Sequence, residues 1–126
     1  MVIPNPFFLL LFIYILENIV IFIREAYYKD MKVLLFSNDG CGSCKTWRPV
    51  FLRLMGKYQL DYELINNYDP KNKGLVDRYD VHGIPYTVFI DDDGRKIGDI
   101  LGNMNEELAD RDIKYYVDNA DRLGEA

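Results

Sequence analysis

The amino-acid sequence predicts an α/β domain over residues 31–126, with a central four-stranded mixed sheet in βαβ-ββα order flanked by helices. Three observations carry that prediction. Residues 31–36 and 87–90 are short apolar runs of strand length. Between the first two strands lies an apolar stripe at helical spacing, and a strand, crossover helix and strand in that order form a right-handed parallel unit. Later in the chain Asp93-Gly94 is a strong hairpin signal between two strand-like segments.

The first strand, residues 31–36, leads into Gly40-Cys41-Gly42-Ser43-Cys44, which holds both cysteines of the chain. Two cysteines separated by two residues can form a disulfide across one turn of helix. After them Trp47, Val50, Phe51 and Leu54 recur on one face of a helix expected over 43–56, with Lys45, Arg48 and Arg53 facing water. Pro49 lies inside this helix and is expected to kink it. The cysteine pair therefore stands at a strand-to-helix junction. Unpaired backbone N–H groups and the positive end of the helix dipole favour a thiolate there, lowering a thiol pKa from its free value near ~8.5. Cys41 is the candidate nucleophile and Cys44 the resolving thiol.

Other uses of two cysteines compete with a redox role. Zinc normally takes four ligands, and here His82 and carboxylates would have to complete the shell. A structural disulfide over so short a loop stabilises little, and inert core thiols do not require Gly42 between them. The spacing alone is moderately specific, so its surroundings decide.

Residues 58–66 alternate through Leu60, Tyr62 and Leu64 and read as the second strand; residues 71–79 read as a short amphipathic helix carrying Leu75 and Val76. Val81-His82-Gly83-Ile84-Pro85-Tyr86 then precedes the strand at 87–90, and residues 96–101 form the last strand. His82 reads as a loop residue. Pro85 stands just ahead of a strand, where its missing N–H removes no central ladder bond. Asn103 or Asn105 caps a final helix with Leu108, Ile113, Tyr116, Val117, Ala120 and Leu123 on one face.

Charge narrows the partners. With 15 basic and 20 acidic residues the net charge is -5, and no run of Lys or Arg offers a nucleic-acid surface, so proteins are the expected partners. The chain begins differently from its remainder. Residues 7–23, FFLLLFIYILENIVIFI, are apolar apart from Glu17 and Asn18 and come close to the minimum length of a bilayer span. No Lys or Arg precedes them and no small-residue cleavage pattern follows, which argues against a signal peptide. Residues 1–30 are either a membrane anchor or an upstream extension of a reading frame whose first residue is Met31; an extra helix packed on the domain fits less well, because the run is apolar on all faces. Arg24, Lys29 and Lys32 follow the run and would keep the domain in the cytoplasm.

Two separated motifs together resemble the thioredoxin family. Cys41-Gly-Ser-Cys44-Lys45, with Pro49 five residues after the second cysteine, is similar to the family's CGPCK…P helix, and Gly83-Ile84-Pro85-Tyr86 to its G-I-P-T segment with a cis-proline. Gly94 and Gly102 fall where the family has its hairpin and the glycine after its last strand, so the resemblance covers residues 32–123. It implies a thiol-disulfide oxidoreductase with a redox disulfide at Cys41 and Cys44, substrate backbone held by Gly83, Ile84 and Pro85, and no bound metal or cofactor. It further implies a monomer acting on protein disulfides and recharged by a thioredoxin reductase or by glutathione. A glutaredoxin-like, glutathione-linked reductant and a non-catalytic redox-sensitive binding module are the alternatives. Departures from the family pattern are Gly40 in place of Trp, Ser43 in place of the proline between the cysteines, and Leu35 where the family buries an Asp. The family's first strand and helix are also missing, which leaves the minimal core shared with glutaredoxins.

Overall fold

The computed structural model describes residues 6–29 and 31–123, and of residues 21–29 the backbone alone. In chain order the elements are helix α1 (Pro6–Lys29), strand β1 (Met31–Ser37), helix α2 (Gly42–Tyr58), strand β2 (Asp61–Asn66), a 3-10 turn (Pro70–Asn72), helix α3 (Lys73–Arg78), strands β3 (Tyr86–Asp91) and β4 (Lys96–Leu101), and helices α4 (Glu106–Asp118) and α5 (Ala120–Leu123). The four strands form one sheet in the order β2-β1-β3-β4. β1 runs parallel to β2 and antiparallel to β3, and β3 runs antiparallel to β4. The predicted mixed sheet and its flanking helices are thus present.

Strand alternation divides the core in two. Val33, Leu35 and Phe89 point to the face that α2 covers with Trp47, Phe51, Leu54 and Met55, and α4 covers with Ala109, Ile113 and Val117. Leu34, Phe36, Val88 and Ile90 point to the other face, where Leu75 and Val76 of α3 pack. Ion pairs Arg53–Glu106 and Lys57–Asp110, both at 2.7 Å, join α2 to α4 along their solvent side.

Several boundaries differ from the sequence expectation. α2 continues to Tyr58, because Gln59 takes a left-handed conformation (φ 51°) and donates its N–H to the carbonyls of Gly56 and Met55, closing the helix. β2 therefore begins at Asp61 rather than at residue 58. As an edge strand it buries Ile65 alone, and the alternating Tyr62 and Leu64 stay 44% and 43% exposed. In α4 the inward position is Ala109 and not Leu108, which is exposed. Asn105, one of the two expected caps, accepts from the N–H groups of Glu107 and Leu108. Helix α4 ends at Asp118, and Ala120 and Leu123 belong to the separate turn of α5. Between β3 and β4, Gly94 turns the chain at φ +78°, and Tyr79 at the end of α3 donates its hydroxyl to the Gly94 carbonyl at 2.7 Å.

α1 differs from these elements in its described side chains. Every side chain described in it, residues 6–20, is exposed. Among the described residues no helix is long and apolar enough to cross a membrane. The remaining side chains of the apolar run, 21–23, lie outside the described residues, as do residues 1–5.

Candidate active site

β1 delivers the chain to the cysteines through a turn that its own side chain closes. Asn38 Oδ1 accepts the Gly40 N–H at 2.7 Å, and the Cys41 N–H donates to the Asn38 carbonyl at 3.1 Å. A Cβ on Gly40 would sit 3.2 Å from that Asn38 oxygen, so a larger residue at this position would press on the turn. Cys41 is then the N-cap of α2, in extended conformation (φ -92°, ψ 118°), and its Sγ accepts the Cys44 N–H at 3.2 Å. An N-cap acceptor satisfies one of the helix's unpaired N–H groups, and the same contact stabilises negative charge on sulfur.

The two cysteines are joined in a disulfide. They differ in access: Cys41 is partly exposed, whereas Cys44, one turn further in, is 2% exposed. Trp47, a turn beyond Cys44, is fully buried and donates its indole N–H to the Thr87 hydroxyl at 3.0 Å. Leu35 is buried, as the Cα partner of Thr87 in the β1–β3 ladder, so the strand behind the cysteines carries no carboxylate there.

Gly83, Ile84 and Pro85 reach the same end of the sheet through strand register. Phe36 pairs with Tyr86, which sets Pro85 alongside the last residues of β1, just before the turn to Cys41. The Ile84–Pro85 peptide is cis. The Pro85 carbonyl is taken by the Gly102 N–H at 2.7 Å, with Gly102 at φ +83°. Among the described residues no backbone hydrogen bond engages Ile84. His82 lies outside this group: its side chain is 81% exposed and pairs with Asp80 at 2.7 Å. No cluster of three His, Cys, Asp or Glu able to hold a metal occurs among the described residues.

Two polar groupings went unrecognised in the sequence. One is the Trp47–Thr87 pair, whose visible sign was a threonine within an otherwise apolar strand. The other joins Tyr86, Lys96 and Asp99 across β3 and β4: Tyr86 donates to Asp99 at 2.6 Å and Lys96 donates to the Tyr86 oxygen at 2.9 Å. Single-strand patterns do not reveal such cross-strand partners.

A Cys-x-x-Cys disulfide at the N-terminus of a helix, with a cis-proline loop at the same end of a β2-β1-β3-β4 sheet, defines the thioredoxin-fold class of proteins. The chain belongs to the thioredoxin family: the family model described as Thioredoxin matches residues 22–114. It is 30% identical over 84 residues to a thiol:disulfide interchange protein TxlA homolog of Synechocystis, covering 65% of this chain and 47% of that one. It is 25% identical over 93 residues to a chloroplastic thioredoxin-like protein of Arabidopsis thaliana, covering 72% of this chain and 33% of the relative. The chain thus spans a third to a half of the length of the curated relatives it matches. Among solved structures, a mutant thioredoxin from Halobacterium salinarum superimposes with a TM-score of 0.61 at 26% identity, covering 70% of this chain and 75% of that one. Thioredoxin 1 of Thermosipho africanus, at 21% identity, gives a TM-score of 0.59 over 71% of this chain and 98% of its own, a likeness of fold.

Proposed function

We propose that this chain reduces disulfide bonds in protein partners through the Cys41–Cys44 dithiol. The observation that carries the reading is the asymmetry of the pair: an accessible Cys41 Sγ held at the helix N-cap, with Cys44 buried one turn behind it. In the reduced protein the Cys41 thiolate attacks one sulfur of the partner's disulfide. A mixed disulfide forms and the partner's other sulfur leaves as thiolate. Cys44 then attacks Cys41 Sγ, the second partner thiol is released, and the Cys41–Cys44 disulfide closes. Two electrons pass from the dithiol to the partner, and the proton lost by Cys44 goes to the departing thiolates. The unengaged N–H and C=O of Ile84 pair with the partner's extended backbone, as one strand-like residue pairs with another, while Gly83 and Pro85 hold that segment in place.

A disulfide reductant must itself be reduced, by a thioredoxin reductase or by glutathione. The working unit is residues 31–126, acting as a monomer without metal or cofactor; for its compartment the basic residues Arg24, Lys29 and Lys32 after the apolar run support the cytoplasm. Insulin reduction tests the reading. The fully reduced protein should precipitate insulin B chain in one stoichiometric round, and a thioredoxin reductase with NADPH, or glutathione with its reductase, should make the reaction catalytic. A reduced protein that leaves insulin intact would sink the proposal. Turnover with glutathione alone would select the glutaredoxin-like alternative.

A further inference from the structure

We propose that Thr87 is a positioning residue of the dithiol: through Trp47 it fixes the first turns of α2, and Cys44 with them, against the strand that begins at the cis-proline. The catalytic half of this inference rests on the reductase reading above. Trp47 lies three residues after Cys44, one turn on, and Thr87 lies two residues after Pro85. Both side chains are fully buried, and their 3.0 Å hydrogen bond is a buried side-chain link between α2 and β3. Among the described residues Ser37 and Thr87 are the buried polar side chains of the core.

An indole N–H is a donor and nothing else, so in this apolar layer of Val33, Leu35, Phe51 and Phe89 it has a single satisfied orientation, the one that reaches Thr87. Purely apolar packing tolerates small rotations of a helix against a sheet. A buried hydrogen bond does not, because a slip leaves both groups unpaired in low dielectric. Cys41 precedes the helical residues and is tied to the turn after β1 by its N–H bond to the Asn38 carbonyl at 3.1 Å, so the rotation of α2 against the sheet sets where Cys44 stands relative to it, and the placement of β3 sets where Ile84 stands. One bond therefore governs the effective concentration of Cys44 at Cys41 and the alignment of Cys41 with a partner's backbone.

The experiment compares the wild type with Thr87→Val, which keeps shape and loses the hydroxyl, and Thr87→Ser, which keeps it. Two readouts are taken with each protein folded by circular dichroism. One is the equilibrium constant between the Cys41–Cys44 disulfide and dithiothreitol. The other is kcat/KM for insulin relative to that for a small aromatic disulfide, which needs no backbone alignment. Thr87→Val should make the disulfide about threefold easier to reduce and lower the insulin-to-small-disulfide ratio about tenfold, with both restored in Thr87→Ser. A threonine that merely stabilises the core would lower the melting temperature and move neither quantity, and that result overturns the proposal. If Thr87→Val does not fold, Trp47→Phe removes the same bond from the other side and is judged by the same two numbers. A wild type that reduces neither disulfide ends the reductase reading, while the dithiothreitol equilibrium still decides for or against Thr87.

Discussion

Tyr86, the residue after the cis-proline, donates its hydroxyl to Oδ2 of Asp99 across the β3–β4 ladder at 2.6 Å, and Lys96 reaches both of them, at 2.9 Å and 3.1 Å. Burial pushes the Asp99 carboxyl up, but the Tyr86 hydroxyl and Lys96 more than offset it and hold it below the usual carboxylate range. Burial and Asp99 raise Tyr86, and the Tyr86 hydrogen bond raises Lys96. The Asp99 contribution is therefore present above a carboxylate's ordinary pKa of about 4 and lost as pH falls through the lower folded value. Those of Tyr86 and Lys96 are present below about 10 and lost as pH rises through their raised values. Asp99→Asn should destabilise the protein at pH 7 by on the order of 0.5 kcal/mol, discounted for the exposure of the group, and by less at pH 2.5. Urea melts at both pH values measure this; an equal loss at each would show that charge on Asp99 is not the cause.

Attack should begin at Cys41. Cys41→Ser is expected to abolish insulin reduction, and Cys44→Ser to accumulate a mixed disulfide with the partner that it cannot resolve. In the reduced protein, limiting iodoacetamide should label Cys41 first, since Cys44 is 2% exposed. Peptide mass mapping identifies the labelled site, and preferential labelling of Cys44 reverses the assignment.

Gly98 marks the contact between β4 and α4. A Cβ there would fall inside the ring of Tyr116, whose hydroxyl donates to the Asp99 carbonyl at 3.1 Å and whose ring packs on Phe89 at 5.1 Å. Gly98→Ala should cost about 1–3 kcal/mol through overpacking. Thermal melts would register the loss as a drop of several degrees, and an unchanged melt would mean that α4 shifts freely to make room.

Removing residues 1–30 should leave the domain intact, because the side chains described in α1 are exposed while Met31 at the start of β1 is 3% exposed. A chain beginning at Met31 is expected to melt cooperatively and to retain the insulin activity of the full chain. Aggregation, or loss of cooperativity, would assign α1 a part in the fold.

What could be read from the sequence was what local spacing controls. The cysteine pair and the stripe of Trp47, Phe51 and Leu54 announced a helix with its reactive end at a strand terminus, and Asp93-Gly94 announced the hairpin. The start of β2 is not encoded in its own alternation, because it depends on where α2 stops. Gln59 closes that helix in a left-handed conformation, a geometry that glycine or asparagine more often signals. Leu108 is apolar yet exposed, because Ala109 shares the buried face of α4 with Ile113 and Val117, and apolar character alone does not tell which of two neighbouring residues faces the sheet. The bond from Trp47 to Thr87 joins residues forty positions apart, and no periodicity within either segment encodes it.

Cys41 Sγ is at once the atom proposed to attack and the acceptor that closes the first turn of α2. Any chemistry at that sulfur is consequently written into the backbone beside it. Alkylation, a mixed disulfide or further oxidation each alters the acceptor facing the Cys44 amide, so hydrogen exchange at that amide serves as a gauge of the sulfur's state with no added label. The same coupling separates two replacements that both remove the nucleophile: Cys41→Ser supplies a strong cap oxygen and preserves the turn, whereas Cys41→Ala strips it and lets the helix fray.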